Sequence, residues 1–276
     1  VSGRRVAEVI NTEITISDGP IDTIDNNPAI EFKEVVYSYP GSEKETLKDI
    51  NFKLEKGKTT AIIGGTGSGK STILNLIPRL QDVTGGEILV NDKNIKEYKL
   101  TALRDRISYA PQKAILFEGT IRSNMLIGKE DASDEEIKKA LKMAEVDFIE
   151  SLEDGVSQGA SNYSGGQKQR LQLARSILAE RDFYLFDDCF SALDMNTEKI
   201  IKNNLKDLND ASILIVSQRI STIKDADTII VLDDGTEKRV DLSALITQFE
   251  FLNSDRIYFT VSADGKVTAD IRNNSI

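Results

Sequence analysis

The chain has 276 residues and a net charge of −10, with a pI near 4.8, an acidic balance that argues against a nucleic-acid partner, for which a basic stripe is expected. Hydrophobic content of 39% and charged content of 29% are those of a water-soluble globular domain. The single cysteine, Cys189, excludes an internal disulfide and fits a reducing compartment. Apolar runs such as Ile213–Val216 are strand-sized and too short to span a membrane, and no signal-peptide pattern is visible.

Residues 1–28 are polar and acidic, ending in Asp25-Asn26-Asn27-Pro28, and read as a helix end followed by a linker. From Ala29 the pattern changes. Ile30, Phe32, Val35, Tyr37 and Tyr39 predict a strand kinked near Glu34, and Ile50, Phe52 and Leu54 alternate before the turn Glu55-Lys56-Gly57-Lys58. Glu87–Val90 and Ile107–Ala110 predict further strands. Ser133 with Glu136 forms a capping box for a helix with Ile137, Ala140, Leu141 and Ala144 on one face. A second helix runs from Gly166 to Leu178. Beyond it, the strand-like runs Phe183–Asp187, Ile213–Ser217 and Thr228–Leu232 alternate with helical segments, which implies a mostly parallel sheet covered by helices.

The most informative segment is Gly64-Gly65-Thr66-Gly67-Ser68-Gly69-Lys70-Ser71-Thr72. It fits G-x-x-x-x-G-K-[ST] between a predicted strand, Thr59–Ile63, and a predicted helix with Ile73, Leu74, Leu76 and Ile77 on its apolar face. A strand, a glycine loop and a helix start gather backbone N–H groups and a positive helix end around a polyphosphate. Lys70 is expected to reach the β- and γ-phosphates of a nucleoside triphosphate, and the Ser71 hydroxyl to ligate Mg²⁺. Phe183–Asp187 is an apolar strand ending in two carboxylates, Asp187 and Asp188. Asp187 stands where a magnesium-orienting carboxylate is needed, at the carboxyl end of a strand beside the loop.

Ser164-Gly165-Gly166-Gln167 opens the second helix. Two glycines allow close approach of an anion, and the helix start favours negative charge. Alone, the tetrapeptide reads as an ordinary helix cap. Between a phosphate loop and an Asp-ended strand, it resembles the signature of the nucleotide-binding domain of ABC transporters. The resemblance runs over residues 29–235. It implies that Tyr39 stacks on adenine, although a half-buried strand tyrosine is the plain alternative. It implies that Gln112 touches Mg²⁺ and couples to a membrane domain, and that Ser191-Ala192-Leu193-Asp194, ending in Asp194, crosses a dimer interface. Phe117–Asn124 is similar to an exporter-type segment, and Gly3–Ile10 looks like the cytoplasmic extension of a transmembrane helix upstream.

Two positions depart from the family pattern where hydrolysis is concerned. The residue after the metal-orienting aspartate is usually Glu and is here Asp188, shorter by one C–C bond, about 1.5 Å. The switch histidine corresponds to Gln218, which can donate a hydrogen bond but cannot relay a proton. The chain contains no histidine at all, so no other alignment supplies one. The pattern resembles the degenerate half of a heterodimeric exporter, with Asp188 and Gln218 at its catalytic positions. Such domains face each other head to tail, so Ser164–Gln167 would complete the site of a second nucleotide-binding domain.

The expected architecture is a P-loop NTPase core with a mostly parallel sheet, an antiparallel β subdomain and an inserted helical subdomain at about 113–178. Residues 1–28 are expected to be a linker after a transmembrane helix, 29–240 the nucleotide-binding domain, and 241–276 a segment without assignment. Within that segment, residues 256–271 alternate like a hairpin. The expected place is the cytoplasmic face of the cell membrane. A DNA-repair ATPase of the same signature is the alternative, but no coiled coil fits between Ser71 and Ser164. A non-transporting regulatory module is the other. Residues 152–158, shorter than the usual approach to the signature, leave the contact with membrane helices open.

Overall fold

Leu47–Leu54 (β2) and Ile30–Tyr37 (β1) pair antiparallel with Phe32 opposite Phe52, and the two rings stack at 4.3 Å. The kink expected near Glu34 is a bulge: pairing jumps from Phe32 to Val35, and Glu34 has a φ of 49°. The jump keeps Ile30, Phe32, Val35 and Tyr37 on the buried side. The computed structural model that shows this describes residues 2–11, 15–26, 28–208, 210–238, 257–261 and 267–271.

A short helix (α1, Ser2–Ile10) precedes these strands. After them come β3 (Thr59–Gly64), α2 (Lys70–Leu76), β4 (Gly85–Val90), β5 (Lys93–Asn94), α3 (Leu100–Arg104) and β6 (Ile107–Ala110). The helical stretch contains α4 (Ile121–Leu126), α5 (Asp134–Met143) and α6 (Gly165–Leu178), with the two-residue strands β7 (Gly119–Thr120) and β8 (Gly155–Val156) paired antiparallel between them. Then follow β9 (Phe183–Asp187), α7 (Met195–Leu205), β10 (Ser212–Val216), α8 (Ile220–Ile223), β11 (Thr228–Asp233) and β12 (Thr236–Lys238).

One ten-stranded sheet runs in the order β5-β4-β1-β2-β12-β11-β3-β10-β9-β6. The β11-β3-β10-β9-β6 half is parallel, and β5-β4-β1-β2 is antiparallel. The antiparallel part expected as a subdomain is thus continuous with the parallel core, joined where Thr236 of β12 meets Lys48 of β2. In β9 every residue is buried. Tyr184 and Phe186 pack into the core under α4, α5 and α6, while Phe183 and Leu185 pack into the core shared with β1, β2 and α2. Burial of both faces is why this strand reads as an unbroken apolar run.

Residues 15–26 are stitched to the core rather than free of it. Gly19 and Ile21 donate to the carbonyls of Tyr98 and Glu97, Lys99 donates to that of Ile21, and Arg106 bonds the carbonyl of Ile24. Of the C-terminal segment, Ile257–Val261 (β13) and Val267–Ile271 (β14) form the antiparallel pair expected there, Ile257 opposite Ile271. The remainder of 241–276, including the expected turn at 263–266, lies outside the described residues. Among the described residues no helix is long and apolar enough to cross a membrane.

Candidate functional site

The carboxyl end of β3, an interior strand of the parallel core, places the glycine loop. β3 ends at Gly64, where a Cβ would lie 2.1 Å from the Leu232 carbonyl oxygen of the neighbouring β11, so only glycine fits. Gly67 and Gly69 have φ of 82° and 102°, which favours glycine and turns the loop into α2. Lys70 opens that helix and is 8% exposed. Its Nζ donates to the carbonyls of Gly64 at 2.8 Å and Gly65 at 2.6 Å, and lies 3.4 Å from Ser68 Oγ. Burial lowers its pKa, and Asp188 and Asp187 oppose that shift. A buried ammonium held by two carbonyls of a glycine loop suits a polyanion.

β9 brings its carboxylates to the same place. Ser71 Oγ donates to Asp187 Oδ1 at 3.2 Å, and Tyr109 Oη lies 3.5 Å from Oδ2. Asp187 is 6% exposed, and burial raises its pKa against the pull of Ser71 and Lys70. Among the described residues no ion pair satisfies it. A buried carboxylate and a hydroxyl side by side, both hard oxygen donors, fit a divalent cation such as Mg²⁺. Among the described residues no cluster of three His, Cys, Asp or Glu side chains could hold a metal by itself, so such a cation would take its other oxygens from phosphate and water.

Asp188 follows at a φ of 47°. Burial and the neighbouring Asp187 raise its pKa, while Arg219, Lys70 and the Gln218 backbone N–H hold it down. The Gln218 side chain is exposed, at the end of β10, and Gln112 is exposed just after β6. Tyr39 is 39% exposed beside the loop; its hydroxyl is 3.0 Å from Thr72 Oγ1 and its ring stands edge-on to Tyr37 at 5.0 Å. The loop residues Gly64, Gly65, Thr66, Gly67, Ser68, Gly69, Lys70, Ser71 and Thr72 therefore meet Tyr39, Asp187 and Asp188 in one region.

Ser164, Gly165, Gly166 and Gln167 do not join them. No hydrogen bond among the described residues links this tetrapeptide to the glycine loop. Ser164 caps α6: its Oγ accepts from Gln167 N at 3.3 Å, and Gln167 Oε1 accepts from Ser164 N at 2.8 Å. Asp194 likewise caps α7, accepting from the backbone of Asn196 and Thr197 and from the Thr197 hydroxyl. The tetrapeptide instead packs on the loop before α7, where a Cβ on Gly166 would be 3.0 Å from the Ala192 carbonyl oxygen.

Two residues at this junction escape sequence reasoning. Gln169, 6% exposed, accepts the Ala192 N–H at 3.0 Å. Arg219 donates to the carbonyls of Ser191 at 2.5 Å and Leu193 at 3.3 Å. A glutamine inside a helix and an arginine after a strand carry no local pattern; the one hint is the position of Arg219 beside Gln218. A cavity of about 650 Å³ between α7 and α8 includes none of the residues expected at the nucleotide site.

A profile of the ABC transporter family matches residues 47–191. A putative multidrug export ATP-binding/permease protein of Staphylococcus aureus is 42% identical over 240 residues, 83% of this chain and 41% of that one. An uncharacterized ABC transporter ATP-binding protein of Mycobacterium bovis is 38% identical over 245 residues, 85% of this chain and 42% of the other. The solved structure of a bacterial Atm1-family ABC exporter with ATP bound is similar at a TM-score of 0.82 and 31% identity, over 89% of this chain and 45% of that chain. The chain spans about two-fifths of the length of the curated relatives it matches.

Proposed function

The chain belongs to the ABC transporter family, and from that premise we propose that it is the ATP-binding domain of a membrane exporter whose own site binds Mg-ATP but hydrolyses it slowly. The observation that carries this proposal is the meeting of Lys70, the Ser71–Asp187 pair and Asp188 at the end of β3 and β9. The Staphylococcus aureus relative is named as a putative multidrug export ATP-binding/permease protein, which favours an exporter over a DNA-repair ATPase or a regulatory module.

In this assignment residues 29–240 form the nucleotide-binding domain, with a helical part at about 113–178, and residues 1–28 link it to a transmembrane domain. The domain then works at the cytoplasmic face of the membrane. Tyr39 stacks on the adenine. The loop from Gly64 to Thr72 receives the phosphates on its N–H groups, and Lys70 neutralises β- and γ-phosphate charge. Ser71, Asp187 and Gln112 hold Mg²⁺, which when bound screens the same phosphates.

Asp188 and Gln218 are the weak points. Asp188 takes the role of orienting the attacking water, but its carboxylate is one C–C bond short, and a misplacement of about 1 Å can cost on the order of 10²-fold in rate. The Gln218 backbone N–H also favours its charged form. Gln218 offers an amide donor to the γ-phosphate without the charge of an imidazolium. The signature, packed on the loop before α7 and not at its own glycine loop, is free to serve a second nucleotide-binding domain packed head to tail. Ser164, Gly165, Gly166, Gln167 and Asp194 are assigned to that interface.

Titration calorimetry with Mg-ATP tests the site. Lys70→Ala is expected to weaken binding by at least about 30-fold, the scale of a desolvated charge contact. Equal affinity for wild type and variant refutes the assignment of the glycine loop.

A further inference from the structure

A continuous hydrogen-bonded path runs from the strand that carries the glycine loop to the helix that carries the signature. Ser217 N donates to Ile62 O of β3 at 3.2 Å, and Ser217 Oγ accepts from Arg219 N at 3.1 Å. The Arg219 guanidinium then spans Ser191 O and Leu193 O. Between those two carbonyls, the Ala192 N–H is held by Gln169 of α6. The same loop is tied back to Asp188, whose carbonyl oxygen accepts from both Ser191 N and Ser191 Oγ.

Arg219 is itself held from one side. Glu198 on α7 is 3% exposed, neither of its carboxylate oxygens has a hydrogen-bond partner among the described residues, and Arg219 Nη1 lies 3.7 Å from Oε2. Two tethers, Gln169 from α6 and Arg219 from the segment after β10, thus grip one three-residue loop. The space is closed on the third side by Gly166 against the Ala192 carbonyl.

We propose that Arg219 is a positioning residue that couples the occupancy of this chain's own nucleotide site to the conformation of Ser191–Leu193, and through Gln169 to the start of the signature helix. Glu198 orients the guanidinium so that its fork meets both carbonyls. The two carbonyls are met by separate nitrogens, Nη1 and Nη2, of one rigid planar fork; the compact ammonium of a lysine on its flexible stem does not hold them at that fixed spacing, so Arg219→Lys is not a conservative change here. The slow site then has a use: ATP held there without turnover keeps the loop, and the signature behind it, in one arrangement. This coupling rests on the proposed binding of ATP at Lys70.

The test is amide hydrogen exchange of Ser191, Ala192 and Leu193 in the full chain, with and without Mg-ATP, beside calorimetry on the same samples. In wild type, Mg-ATP is expected to slow these amides by roughly fivefold or more, the lower range of allosteric couplings. In Arg219→Gln and in Arg219→Lys the slowing is lost, while ATP affinity stays within about twofold by the same measure. The paired variant Arg219→Gln with Glu198→Gln removes the uncompensated buried carboxylate and keeps the test valid if the single variant folds poorly. Exchange at Leu185 and Ile215, in the middle of β9 and β10, reports whether the core is intact. Slowing retained in the arginine variants overturns the coupling, as does its absence in wild type with ATP bound. Failure of wild type to bind ATP in calorimetry is a separate result and refutes the function proposed above.

Discussion

Ser71 Oγ and Asp187 Oδ1 stand 3.2 Å apart although 116 residues separate them in the chain. The contact exists because β9 lies one strand away from β3 in the parallel sheet, with β10 between them. Burial holds the Asp187 carboxyl above its ordinary value of 3.8. In the window just above that value the folded state keeps a proton that the unfolded chain gives up, so stability falls as pH rises through it. Asp188 is shifted in the same direction. Asp187→Asn removes the penalty. Without nucleotide, the variant is expected to melt above wild type at pH 7, and the gap to close as pH falls below 3.8. Thermal melts across that range check it; a wild type that melts higher at pH 7 contradicts it.

The two glycines at the end of β3 separate packing from binding. A methyl at Gly64 meets the Leu232 carbonyl at 2.1 Å, whereas a methyl at Gly65 meets nothing within 4 Å among the described residues. Gly64→Ala is expected to cost on the order of 3 kcal/mol or more, a drop in Tm of about 6 °C or more. Gly65→Ala stays within about 0.5 kcal/mol of wild type but weakens ATP, because its methyl enters the space beside the phosphates. Calorimetric melts and titrations read both.

Much of this site is legible in the sequence because its parts are local. The glycine loop, its flanking strand and helix, the Asp-ended β9 and the cap at Ser164 each declare themselves within about ten residues. The expected capping box at Ser133 is present, with Glu136 returning to the Ser133 N–H at 2.7 Å. What stays hidden is made by distant residues. The joining of Thr236 to Lys48, which makes the antiparallel subdomain continuous with the parallel core, has no sequence period of its own. Gln169 and Arg219 act on backbone carbonyls and N–H groups, which leave no complementary side chain to find.

Ser164 offers a test of where the signature works. Ser164→Ala removes the cap of α6 and is expected to cost about 1 kcal/mol of stability. Ser164→Arg adds bulk and charge at the surface assigned by the proposal to a second nucleotide-binding domain. In the native complex with its partner subunit, Ser164→Arg is expected to abolish ATPase activity well beyond the effect of Ser164→Ala. Lys70→Ala is expected to be milder than Ser164→Arg if, as proposed, the site it empties contributes little turnover. Steady-state ATPase rates of the complexes read this order. A more damaging Lys70→Ala means that this chain carries the main hydrolytic site.

The central claim is that binding groups are intact here while the groups for hydrolysis are weakened at two positions. Steady-state ATPase of the chain at high protein concentration, in wild type and in Asp188→Glu with Gln218→His, addresses it most directly. Wild type is expected to hydrolyse Mg-ATP barely above background. The double variant is expected to gain on the order of 10²-fold, the lower range for a well-placed general base. A wild type that already turns over at about 1 s⁻¹ or faster, in the usual range of enzymes, with no gain in the double variant, contradicts the claim.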